Sequence, residues 1–305
     1  MKMKTLSALL VSGIAVASVA AASVAVAAHH EADETPAASA PLVIGEQATG
    51  SSPSIETVLA GDHRSDENKA RDVYRHPLET LNFFGLQADM TVVEVWPGGG
   101  WYMDVIAPVV AVDGTYIAAG FDRSGDSPYV KKATQGMIDK VEANQALFGK
   151  VTITEMAAGK TDIAPEGSAD MVLTFRNVHN WVASDFGAGA FAAMYKALKP
   201  GGILGVVEHR ASADLPQDPK AASGYVRQDV VIKMAEDAGF QLVDTSEINA
   251  NANDTKDHPG GVWTLPPSLR KGDEDRDKYL AIGESDRMTL KFIKPAVGGM
   301  AAIDQ

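Results

Sequence analysis

Short apolar runs, most of them rich in β-branched residues, recur along this chain with helix-length segments between them, and that alternation restricts the fold more than any other feature. The runs are Thr91–Val95 (T-V-V-E-V), Tyr116–Gly120, Val151–Thr154, Met171–Phe175, Ile203–Glu208 and Phe240–Asp244. Between them the pattern predicts helices near 101–111, 128–148, 185–198 and 226–238. Runs without polar alternation belong to strands buried on both faces, which is the situation of parallel strands joined by crossover helices. The expected fold is therefore a doubly wound α/β domain. A final run, Arg287–Phe292 (R-M-T-L-K-F), alternates more clearly and is expected to pair antiparallel at or near an edge.

A chain of 305 residues suits one large α/β domain or two small ones. With 45% apolar and 22% charged residues it is neither wholly disordered nor a polytopic membrane protein. It has no cysteine, which removes disulfides, thiolate metal sites and cysteine nucleophiles together. A formal charge of −13 argues against a nucleic-acid partner, which would need the opposite balance. At the N-terminus Lys2 and Lys4 precede an apolar stretch from Leu6 to about Val26, and small residues offer cleavage after Ala27 or Ala28. Residues 1–28 are expected to be a secretory signal peptide, with a retained anchor as the competing reading. Either way the charge pattern sends the remainder across the membrane, to the periplasm or beyond, and cleavage leaves no stable membrane insertion. Residues 29–54, rich in Ala, Pro, Ser and Glu, are expected to form a disordered leader, and 55–305 the α/β domain.

The first long strand runs into E-V-W-P-G-G-G-W-Y, Glu94 to Tyr102. Gly98, Gly99 and Gly100 between a strand and a helix let backbone approach a ligand closely and leave helix-start amides free to receive it. Asp122 closes the next strand, where a carboxylate can accept hydrogen bonds from both hydroxyls of a ribose. In these residues the chain resembles the class I S-adenosylmethionine-dependent methyltransferases. Glu94, Gly98 and Gly100 fall on the acid and the second and third glycines of their D/E-x-G-x-G-x-G motif, with Trp96 in place of the first glycine. G-S-A-D-M-V-L-T-F at Gly167–Phe175 and L-K-P-G-G-I-L at Leu198–Leu204 match further landmarks. The resemblance covers about Leu81 to Lys294. It extends to a group of secreted, predicted methyltransferases carrying W-P-G-G-G-W-Y, F-R-N-V-H-N-W and E-S-D-R-M-T-L-K-F, for which no substrate carries over. It implies a Rossmann-like methyltransferase fold, a seven-stranded mostly parallel sheet with the last strand antiparallel, and S-adenosylmethionine held by Glu94, Gly98, Gly99, Gly100 and Asp122.

In a parallel sheet, ligands sit beyond the carboxyl ends of the strands. That rule gathers Arg176, Asn177, His179, Asn180 and Trp181 after one strand, Glu208, His209 and Arg210 after the next, and Glu247, Asn249 and Asn251 after another. Arg176 presents a planar fork suited to a carboxylate or phosphate, and His179 is the candidate base, oriented by Glu208 or His209. Asn177, His76 in a helical segment over the pocket, and Trp263 in the irregular stretch 249–270 complete the candidate substrate side, and His258 in that stretch can reach the rim. No H-E-x-x-H or comparable spacing is present, so no metal site is expected. Methyl transfer asks little of a protein beyond collinear placement of nucleophile and sulfonium, so a positioned base and a dry pocket suffice for a small-molecule acceptor.

Export and fold pull in different directions, because S-adenosylmethionine is charged, cytoplasmic and does not cross a bilayer unaided. The rival to a methyltransferase is a non-catalytic periplasmic small-molecule binding protein of the same fold, with Trp96 as its local sign. A nicotinamide oxidoreductase fits less well, since the turn reads G-G-G before two bulky aromatics rather than G-x-G-x-x-G. The enzymatic reading requires a nucleoside between the Gly98 loop and Asp122. Trp96 filling that space, or Asp122 facing away from it, counts against it.

Overall fold

The computed structural model describes residues 39–296. The expected signal peptide and residues 29–38 of the expected leader lie outside the described residues. No helix among the described residues is long and apolar enough to cross a membrane.

The core is one mixed sheet of strands β1 (Leu42–Ile44), β2 (Thr91–Val95), β3 (Thr115–Gly120), β4 (Val151–Glu155), β5 (Ala169–Phe175), β6 (Leu198–His209), β7 (Gln241–Ser246) and β8 (Arg287–Ile293). Their order is β1-β4-β3-β2-β5-β6-β8-β7. β4, β3, β2, β5 and β6 run parallel, and β2, β3 and β5 are almost wholly buried, as their unbroken apolar sequences require. One layer of apolar side chains joins Val93, Val172 and Val206 to Trp181, Phe191 and Val231 from the helices Val178–Ala183, Gly187–Ala197 and Gln228–Asp237. The layer on the opposite face joins Val92, Ala118 and Leu173 to Leu81, Phe84 and Ile106 from the helices Pro77–Phe84 and Met103–Val110. Helices on both faces confirm the doubly wound arrangement.

Two differences from the sequence expectation are informative. The sheet has eight strands rather than seven, because Leu42–Ile44, inside the stretch expected to be a disordered leader, pairs antiparallel with β4 (Leu42 opposite Ile153). Three residues are too few to show a period, and the strand is held from outside itself. The Ser39 amide donates to Glu155 Oε2 at 3.1 Å and Arg123 Nη2 to the Ala40 carbonyl at 2.9 Å. The helix expected over 128–148 is two helices, Pro128–Ala143 and Gln145–Phe148, because Asn144 leaves the helical region (φ −150°, ψ 66°) and its side chain caps the second. β8 is antiparallel, as expected, and lies between β6 and β7, so that β7, with largely exposed side chains, forms the edge.

Candidate functional site

The parallel strands end on one rim, and a cavity of about 740 Å³ opens there above β2 and β5. Its floor at β2 is Glu94, whose Oε2 accepts the Tyr116 hydroxyl at 2.6 Å. Burial pushes the Glu94 carboxyl up to about 7, against the Tyr116 hydrogen bond that favours its ionised form. The chain then turns through Trp96 (φ 50°), Gly98 (φ 58°) and Gly100 (φ 77°) into the helix Met103–Val110. Gly98 and Gly99 line the cavity, and their amides have no hydrogen-bond acceptor among the described residues. Gly100 is buried inside the turn, its amide donating to the Pro97 carbonyl at 2.9 Å, so it shapes the loop without facing the cavity.

Trp96 has the left-handed backbone that its motif gives to glycine, at the strain a bulky residue carries there. Its indole reaches across the end of β3: Nε1 donates to the Met156 carbonyl at 2.9 Å, and the ring lies 4.8 Å from Phe121 and 5.7 Å from Trp181. With Phe121 and the exposed Tyr129 it makes an aromatic wall on the cavity.

Asp122 is where the structure departs from the resemblance. Phe121 lines the cavity and Asp122 does not. Its Oδ1 accepts from Lys160 Nζ at 2.6 Å, Ser124 Oγ at 2.6 Å and the Ser124 amide at 2.8 Å. The Lys160 and Ser124 hydrogen bonds hold the carboxyl down at about 2. Lys160 has only 2% of its surface exposed. A buried ammonium needs counter-charges, and it finds them in Asp122 and in Glu155 at 3.1 Å. Asp122 thus stands just past β3 with one carboxylate oxygen engaged by Ser124 and by Lys160 of the loop after β4, while its side chain stays 40% exposed.

A second cavity, of about 280 Å³, adjoins the first through Arg71, Arg75 and Arg176, which line both. His179, His209 and Trp263 face it, while Glu208 is wholly buried beneath. Glu208 Oε1 lies 3.1 Å from His179 Nδ1 and accepts the His209 amide at 2.7 Å, and Oε2 accepts the His179 amide at 3.3 Å. With a carboxylate on Nδ1, the neutral imidazole carries its proton there and keeps its lone pair on Nε2. His209 Nδ1 is 2.5 Å from Ser285 Oγ, and burial, then the neighbouring His179 and Arg287, push its titration well below that of a free histidine. The expected grouping of His179 with Glu208 and His209 therefore exists. Their ligand atoms lie within 4.8 Å of one another, a spacing at which three such groups could hold a metal ion, which the sequence spacing did not lead one to expect.

Other expected residues divide. Asn177 edges the larger cavity, but its amide donates to the Val95 carbonyl at 2.9 Å and so ties two strand ends together. His76 (φ 41°) lines neither cavity: it joins two helices and lines a cleft with Asn249 and Asn251 that shares Glu284 and Ser285 with the smaller cavity. His258 is turned to Asp254 at 2.9 Å and Glu247 to Arg210, away from the rim cavities. Asn68, Arg71, Arg75, Tyr129 and Arg287 reach the cavities without having been singled out from the sequence.

No family model and no curated protein matches the sequence. Solved structures do match the fold. A SAM-dependent methyltransferase from Aquifex aeolicus aligns with 79% of this chain and 98% of its own at 15% identity and a TM-score of 0.50. The [4+2]-cyclase SpnF aligns with 78% of this chain and 85% of its own at 16% identity and a TM-score of 0.54. One neighbour bears the name of a methyltransferase and the other of a cyclase, so the fold alone does not assign the reaction. By sheet order, glycine turn and structural neighbours alike, this chain has the Rossmann-like fold of the class I S-adenosylmethionine-dependent methyltransferases.

Proposed function

We propose that this protein is an S-adenosylmethionine-dependent methyltransferase acting on a small-molecule acceptor. The observation that carries the proposal is that the glycine turn and the Glu94 carboxylate open on one cavity that continues, through three shared arginines, into a second holding a histidine backed by a buried carboxylate. Donor and acceptor sites that adjoin in this way are what a two-substrate transfer requires.

The residues present fit the methionine end of the cofactor. Glu94 offers a carboxylate to its ammonium, and the amides of Gly98 and Gly99 are available to its carboxylate. For the adenosine the fit is to the wall of Trp96, Phe121 and Tyr129, a face on which a base can stack, and not to Asp122. When bound, the cofactor supplies an electrophilic methyl group. On the acceptor side His179 Nε2 accepts the proton that the nucleophile loses, while Glu208 holds the ring and stabilises the resulting imidazolium.

Calorimetric titration with S-adenosylmethionine and S-adenosylhomocysteine tests the proposal. Saturable binding is expected, and absence of binding at millimolar ligand retires it. Tyr129→Ala is expected to weaken binding about tenfold by removing one stacking face, whereas Asp122→Ala leaves it unchanged. Loss of affinity in Asp122→Ala alone would return the nucleoside to the path between the glycine turn and residue 122.

A second reading has its own observation. Trp96 beside the nucleoside path, with Asp122 committed to Lys160, suits a non-catalytic binding protein for a different small molecule, and the same titration separates the two. Export to the periplasm, proposed from the N-terminal sequence, favours that second reading, and a reporter fusion active only outside the cytoplasm tests it.

A further inference from the structure

Positive charge concentrates in the smaller cavity of a protein whose overall formal charge is −13. Arg71, Arg75, Arg176 and Arg287 line it together, and the sole carboxylate among its lining residues is Glu284. Glu284 serves three of the four: Arg71 Nε donates to it at 2.6 Å, Arg75 Nε at 3.4 Å, and Arg287 Nη2 at close range. Burial alone would raise the Glu284 carboxyl, but Arg287 and Arg75 hold it well below the usual carboxylate range, so it is ionised and already spent. The fourth guanidinium, Arg176, has no hydrogen bond or ion pair among the described residues. Buried donors also stay free elsewhere in the cluster, at Arg75 Nη1 and Arg287 Nε.

This arrangement is costly to the apo protein. Burial, followed by repulsion from Arg287, pulls Arg176 down to about 10, and burial with repulsion from Arg176 pulls Arg75 down as well. Guanidiniums stay protonated at neutral pH all the same, so four positive charges line the cavity against one lining carboxylate, with Glu208 engaged beneath by His179 and His209. Four arginines converging without equal counter-charge are poor structural glue, because an uncompensated buried charge destabilises a fold. They are good donors to an oxyanion, whose spread of acceptor atoms matches the planar forks and supplies the missing charge.

We infer that the smaller cavity is an oxyanion site that takes the phosphate-like, doubly charged head group of the acceptor, held by Arg71, Arg75, Arg176 and Arg287 beside His179. A volume of about 280 Å³ suits a head group rather than a whole cofactor. Trp263, 5.9 Å from the His179 ring, closes the far side. As a statement of substrate class the inference rests on the methyltransferase reading; as a statement of anion binding it does not.

The test is titration of the full chain at low ionic strength with inorganic phosphate and with a simple phosphate monoester such as glycerol phosphate. Saturable binding of both is expected, tighter for the monoester, and weakened about tenfold or more in Arg176→Gln and in Arg71→Gln. Arg176→Gln breaks no hydrogen bond or ion pair among the described residues and relieves burial and repulsion from Arg287 that outweigh the attraction of Glu284, so its unfolding midpoint without phosphate is expected to equal or exceed that of the parent. No binding of either anion, binding unchanged in both variants, or a destabilised Arg176→Gln overturns the site. Equal affinity for phosphate and monoester overturns the assignment to a substrate head group and leaves a site for the free ion. The same samples titrated with S-adenosylmethionine keep the two readings apart. Cofactor binding without phosphate binding defeats this inference alone, and phosphate binding without cofactor binding defeats methyl transfer alone.

Discussion

Replacement of His179 by alanine is expected to lower methyl transfer by a factor on the order of 10² to 10⁴ while leaving S-adenosylmethionine affinity where it was, the range of a positioned general base. The geometry behind this is a ring whose Nδ1 faces the wholly buried Glu208 at 3.1 Å, so that Nε2 is the nitrogen left to take a proton. His179 lines the smaller cavity and not the larger one, which is why its loss spares the cofactor. Glu208→Gln is expected to depress turnover too, because an amide oxygen stabilises an imidazolium less than a carboxylate does. Transfer of label from methyl-labelled cofactor to a panel of phosphorylated small molecules reads the effect. An equal fall in transfer and in cofactor affinity would make His179 a residue of the fold instead.

Glu94 sets the second large effect, and it is an effect on stability. Its carboxyl rises from an ordinary value to about 7 because it is buried. The folded protein thus binds a proton more tightly than the unfolded chain does, and stability from this group falls as pH rises from about 4.5 to about 7, then levels off. The difference is about 3 kcal/mol between the ends of that window. Glu94→Gln mimics the protonated form. Its denaturant midpoint is expected to exceed that of the parent at about pH 8 and to match it at about pH 4, so the difference between the two curves isolates this residue from the other carboxyls. Superimposable curves would show that Glu94 does not titrate in this range. A ligand ammonium favours the ionised form, so cofactor affinity is expected to rise with pH through 7 in the parent and to lose that rise in the variant.

The histidine cluster was legible before the fold was known, because a parallel sheet brings strand-end residues to one rim whatever the loops do. His179, Glu208, His209 and Arg176 all obey that rule. His76 and Asp122 show its limits. His76 belongs to a helical segment, whose placement no strand rule governs. Asp122 is at the right strand end, but one of its carboxylate oxygens is engaged by Lys160, a buried lysine 38 positions later. The arginine cluster was hidden for a related reason: Arg71, Arg75, Arg176 and Arg287 come from three distant parts of the chain, and of the four only Arg176 falls under the strand-end rule.

The sequence by itself determined the doubly wound sheet, the glycine turn and the strand ends that meet above it, since hydrophobic period and backbone freedom are local properties that survive into any tertiary context. Only the tertiary structure decided the short β1 edge strand, the pairing of Asp122 with Lys160 and the gathering of four guanidiniums around one carboxylate. Those depend on which charges burial forces together, and the energy of a buried charge is set by neighbours that are remote along the chain.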